Sequence, residues 1–176
     1  ALGSDITFAH AVGRPTPLDA ITVTKGYDVK NHNNLTNSGL GGINVTAANI
    51  INLDELTMTA GTDPAALIEL HGNVTLTTGL ASLYAEQTIH AFGTVSGTQP
   101  LTLRTGTAAG SAITFNNTIG IPAPLGAITV TNGLDVTFNS TIAAASLTQS
   151  AGSGTTTFIS NVTTTGAVGI DITTSN

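Results

Sequence analysis

The sequence predicts an all-β chain wound as a single-stranded parallel β-helix, a solenoid of about eight turns at ~20 residues each. Three observations predict it. One long phrase is written twice, the second time with a block missing. Short apolar–Thr alternations recur at about the spacing of one turn. Finally, the composition offers little to fill a thick core: the 176 residues are 40% hydrophobic but only 4% aromatic, with no Trp.

The repeat comes first. Gly3-Ser4-Asp5-Ile6-Thr7-Phe8 matches Gly110-Ser111-Ala112-Ile113-Thr114-Phe115, an offset of 107. The match runs without a gap through Gly13/Gly120, Pro15/Pro122, Pro17/Pro124, Ile21/Ile128, Val23/Val130, Gly26/Gly133, Asp28/Asp135 and Val29/Val136. Register then changes. Leu56-Thr57-Met58-Thr59-Ala60-Gly61 resembles Leu147-Thr148-Gln149-Ser150-Ala151-Gly152 at an offset of 91, and Gly72-Asn73-Val74-Thr75 resembles Ser160-Asn161-Val162-Thr163 at 88. The second copy has lost 107 − 88 = 19 residues, most of them in the first step. A solenoid can drop one turn, because each turn touches only its neighbours. The lost block is about that long. The chain therefore reads as one continuous solenoid over residues 1–176, with repeat units 1–109 and 110–176, the second shortened.

The strand signals follow in chain order. Apolar alternations recur at Ile21/Val23, Ile43/Val45, Leu83, Leu101/Leu103, Ile128/Val130, Leu147 and Ile170/Ile172. In Ala127-Ile128-Thr129-Val130-Thr131, Ile128 and Val130 share one side of an extended chain and the other three residues share the opposite side. Helical signal is weak. Asp63-Pro64 could open a helical turn through Leu70, but Ala66-Leu67-Ile68-Glu69-Leu70 reads equally as a strand. The rival fold is a tandem of immunoglobulin-like β-sandwiches. A 107-residue unit has the size of one such domain, and Asn132-Gly133 between alternating runs is a strong hairpin signal. Asn-Gly also suits a sharp β-helix corner, since both residues tolerate positive φ.

Charge and residue usage exclude several function classes. Charged residues are 8% of the chain and the net charge is −6, with four basic residues. A nucleic-acid surface needs clustered Lys and Arg; Arg14, Lys25, Lys30 and Arg104 are scattered. There is no Cys, hence no disulfide, thiolate metal site or Cys nucleophile. No apolar run approaches the ~20 residues of a membrane span. The chain opens on Ala1 rather than Met, which is expected of a slice of a longer, processed polypeptide.

The run from Gly126 to Thr174, GAITVTNGLDVTFNSTIAAASLTQSAGSGTTTFISNVTTTGAVGIDITT, resembles the β-helical stalks of large bacterial surface proteins. Filamentous haemagglutinin-like adhesins and autotransporter passenger domains are the type. The resemblance covers nearly the whole chain and rests on Thr/Gly/Asn-rich strands and near-repeats. It implies an exported, right-handed β-helix acting as a rigid spacer or adhesive surface at the cell exterior. The implied partners are the rest of a longer chain, further copies of itself, or a glycan or receptor on a host or neighbouring cell. Neither terminus resembles a polar cap, and open strand edges are sticky, so end-to-end association is expected. A carbohydrate- or receptor-binding module and a β-helical polysaccharide-degrading enzyme are the alternative readings.

The two copies provide an internal test for chemistry. Asp5 becomes Ala112, His10 becomes Asn117, Arg14 becomes Ile121, Lys25 becomes Asn132, Lys30 becomes Thr137 and His32 becomes Asn139. Gly, Pro and apolar positions persist instead, so no catalytic residue, cofactor site or metal site is assigned. A glycoside hydrolase would need two carboxylates about the scissile bond. Asp54 and Glu55 are neighbours in sequence and would face opposite ways in a strand; Glu69 and His71 share a face and are the better pair. His10, His32, His71 and His90 show no short ligand spacing. Gly26, Asp28, Gly133 and Asp135 read as structural turns, with the carboxylates capping backbone N–H groups. Asn-x-Thr sequons occur at Asn34, Asn44, Asn73, Asn116, Asn139 and Asn161; their side chains can stack as ladders between turns. The most polar stretch holds Asn31, His32, Asn33 and Asn34, and it is read as a protruding contact loop.

Overall fold

The computed structural model describes residues 3–13, 16, 18–61 and 63–174, the side chain of Leu40 aside. Arg14, Pro15 and Pro17, the last two matched in the repeat, lie outside the described residues. Among the described residues there are strands and turns but no helix, and every strand pairing is parallel. The chain is a parallel β-solenoid of about seven turns, with one lap every 19 to 28 residues, as from Val130 to Gln149 and from Arg104 to Asn132. Antiparallel sandwiches are thereby ruled out.

Each lap crosses three faces. On the first, one inward column runs Ile21, Ile43, Ile68, Ile89, Ile113, Val136, Thr156. On the second it runs Ile6, Val29, Ile51, Val74, Val95, Ile119, Ile142, Val162. On the third it runs Val12, Leu35, Met58, Leu83, Leu103, Val130, Gln149, Ile172. The longest strand, Leu35–Leu53, turns two corners and serves all three faces in succession.

The sequence builds these faces by simple alternation. Thr57–Ala60, Thr88–Ala91 and Ala112–Phe115 each alternate half-buried with buried residues. Because neighbouring strands are parallel and in register, like stacks on like. Branched Ile and Val fit a pleated surface well, and burying each side chain contributes about 1.5–3 kcal/mol. A second column of the first face widens along the coil: Val23, Val45, Leu70, Ala91, Phe115, Phe138, Phe158. Its three Phe rings stack with centroids 5.6 and 5.4 Å apart. Three of the chain's five Phe are thus spent on one stack.

The internal repeat does not follow the laps. Ile6 stands in the second-face column, but its match Ile113 stands in the first; Val29 and Val136 differ in the same way. Counting along the columns, Ile113 lies fourteen faces beyond Ile6, which is four laps and two faces. The later matches behave differently. Met58 and Gln149 share the third-face column, and Val74 and Val162 share the second, four laps apart in each case. The missing block is therefore two faces rather than a full turn, and its loss restores whole-lap register.

Two local expectations are also corrected. Asp63-Pro64 opens no helix: Asp63 Oδ1 accepts the Ala65 N–H at 3.0 Å in a tight turn, and Leu67–Leu76 is a strand. Gly26 and Gly133 serve the turns, but not through positive φ, which neither adopts. They are needed for space. A Cβ on Gly26 would lie 2.7 Å from Val29 Cγ2 and 3.4 Å from Ile6 Cδ1; one on Gly133 would lie 2.8 Å from Val136 Cγ2 and 3.2 Å from Ile113 Cδ1.

Candidate functional site

The Asn31 to Asn34 stretch is a tight corner between the strands Leu18–Asn31 and Leu35–Leu53, not a protruding loop. Asn31 is fully buried and sits in register with Leu53, so its side chain points into the core. Its Nδ2 reaches Asn52 O at 3.4 Å, while its Oδ1 has no partner among the described residues. Asn33 donates to Ala9 O at 2.8 Å, and Asn34 Oδ1 accepts the Thr57 N–H at 2.9 Å. Both tie neighbouring laps together. His32 is the outward member: its Nδ1 lies 2.6 Å from Asp54 Oδ2, and Asp54 also accepts from Thr78 Oγ1 on the next lap.

That geometry removes Asp54 and Glu55 as a paired acid and base. Asp54 is engaged in a corner ladder, and Glu55 adopts a φ of 46°, so the segment is not extended. Asp135 caps a backbone group as expected, accepting the Thr155 N–H at 2.9 Å; Asp28 instead accepts from Asn49 Nδ2 at 2.8 Å. The sequon asparagines serve several uses. Asn139 donates to Asn116 Oδ1 at 3.1 Å in a side-chain ladder, while Asn73 Oδ1 accepts the Thr94 N–H at 3.1 Å.

Glu69 and His71 do share an outer face. Glu69 Oε2 lies 3.3 Å from His71 Nε2 and accepts from Asn44 Nδ2 at 2.7 Å. The next lap brings His90 into register with Glu69. Phe92 then lies between the two imidazoles, its ring centroid 4.1 Å from that of His71 and 3.7 Å from that of His90. His90 Nε2 is buried and has no hydrogen-bond partner among the described residues. Sequence spacing missed this His–Phe–His stack because His71 lies one lap away from His90 and Phe92, which stand two residues apart on the same lap. Among the described residues, no group of three or more His, Cys, Asp or Glu is placed to hold a metal ion.

A cleft on the third face had no sequence forecast. Thr59, Tyr84 and Arg104 stand in register on three successive laps of the third face, and with Gly61, Ala85 and Glu86 they line a cleft of about 140 Å³. The signal that could have found it is the 20-residue step from Tyr84 to Arg104, one lap. Compared with family models, with curated proteins and with solved structures, the chain matches none.

Proposed function

We propose that the chain is a structural, non-catalytic segment of a secreted or cell-surface bacterial fibre or adhesin stalk, associating end to end. The observation that carries this reading is the second-face column. Its eight rungs, Ile6 to Val162, are all Ile or Val, and the end rungs differ from the interior ones only in exposure. Ile6, Phe8 and Val12 at one end, and Phe158, Val162 and Ile172 at the other, are half-buried residues of interior type. A further rung of like sequence fits on either end, bringing backbone hydrogen bonds and apolar contact together. Laps spaced ~4.8 Å apart make about seven turns a rod roughly 35 Å long, and a uniform column resists bending at every rung. The Thr, Asn and Gly-rich exterior supports the same reading, since only 8% of the residues are charged and it carries few groups of fixed chemistry.

Sedimentation and negative-stain imaging across a concentration series test this. Growth in one dimension at constant width is expected. A compact monomer at every concentration would sink the end-to-end association.

A further inference from the structure

We infer that the cleft on the third face binds a single neutral pyranose ring. This goes beyond the fibre reading and does not depend on it. The cleft is built from two outward columns. Thr59, Tyr84 and Arg104 form one, and Gly61, Glu86 and Gly106 follow two residues later, just past the ends of the same three strands. Glu86 therefore has a glycine on the lap above and on the lap below. A Cβ on Gly106 would sit 2.5 Å from Glu86 Oε2, so the bare glycine leaves room for that carboxylate. The Gly106 N–H donates to Glu86 O at 3.0 Å and fixes the corner.

Arg104 and Glu86 have opposite charges on one small cleft, yet they form no ion pair with each other or with any described residue. The Tyr84 hydroxyl likewise has no hydrogen-bond partner among the described residues. Guanidinium only donates and carboxylate only accepts. A vicinal diol does both, so one sugar rim satisfies the two groups together. The Tyr84 ring supplies the carbon surface that the C–H face of a pyranose covers. At about 140 Å³ the cleft is well below the ~300 Å³ where drug-sized pockets begin, which fits one ring rather than an oligosaccharide.

Tyr84 and Tyr27 are the chain's only tyrosines, so ring-proton NMR reports the site with a built-in control. The intact chain is titrated with methyl glucopyranoside, methyl galactopyranoside and methyl mannopyranoside, and separately with glycine and acetate. The proposal expects a saturable shift of Tyr84, but not of Tyr27, with at least one glycoside. In R104Q and E86Q, each checked for an unchanged melting curve, affinity falls about tenfold or more, the scale of a lost hydrogen bond to a charged group. It is overturned if no glycoside gives a saturable Tyr84 shift, if glycine or acetate gives the same shift, or if both folded variants bind as the parent does.

Discussion

Ile21 and Ile128 hold matched places in the internal repeat, yet Ile21 packs on the first face of the coil and Ile128 on the third. A sequence that keeps its packing while changing face shows that the three faces are interchangeable. The unit is one strand with its corner, not one lap. Gly26, Val29 and Ile6 meet as Gly133, Val136 and Ile113 do, with distances agreeing to within a few tenths of an ångström although the two sets stand on different faces. The contact is local to two adjacent rungs, so it travels with the sequence wherever the coil carries it.

The first prediction follows from that shared contact. Gly26→Ala and Gly133→Ala each force a methyl against a Val side chain at under 3 Å, and overpacking of this kind costs about 1–3 kcal/mol. Denaturant melts should show losses of similar size for both. An unaffected Gly133→Ala protein would mean the corner is not closed by these side chains.

Asn31 occupies a core position whose next two rungs are Leu53 and Leu76. Among the described residues its Oδ1 is buried and unpaired, and its side chain makes one long hydrogen bond. An unsatisfied buried polar atom costs about 1–3 kcal/mol, so Asn31→Leu should raise the denaturation midpoint. A clear fall would show that the amide is satisfied in solution.

The ion pair between Asp5 and Lys30, 2.8 Å long, fastens the first described lap to the next. The hydrogen bond from Lys30 holds the Asp5 carboxyl below its ordinary value of 3.8, and the same bond raises Lys30 above 10.5. The stabilisation from Asp5 is complete above the ordinary carboxylate range and is lost as pH falls through the lowered value. That from Lys30 is complete below 10.5 and is lost as pH rises through the raised one. Amide exchange at Tyr27, whose N–H donates to Ser4 O, should quicken at both limits, and D5N should flatten both limbs. A D5N profile parallel to the parent's would show that the pair does not fasten this lap.

The fold class was legible because alternation survives in nearly every strand, and the columns Ile21 to Val136 and Ile6 to Val162 follow directly from it. The lap boundaries were less so. Laps of 19 to 28 residues blur the period, and a repeat of fourteen faces disguises the division by three. The missing block pointed to a solenoid although it is two faces long rather than a turn, since dropping faces also leaves the neighbours' contacts intact. The corner at Asn31 to Asn34 misled for a different reason. Polarity in a sequence usually means exposure, but here Asn31 is buried and Asn33 and Asn34 bond to the neighbouring laps. The Tyr84–Arg104 cleft and the His71–Phe92–His90 stack depend on which residues fall one lap apart, and only the register supplies that.

Cysteine cross-linking in this Cys-free chain tests the coil most directly. Thr114 is paired with Thr137 on adjacent rungs of the first face, and Thr129 with Thr148 on the third. Adjacent strands stand ~4.8 Å apart, within the ~4.4–6.8 Å that a disulfide spans between Cα atoms. The double variants T114C/T137C and T129C/T148C should oxidise readily in the folded chain, while T114C/T129C, which joins two different faces, should not. Ready closure of T114C/T129C with failure of the other two would mean that consecutive strands pair as antiparallel hairpins, and the solenoid would be wrong.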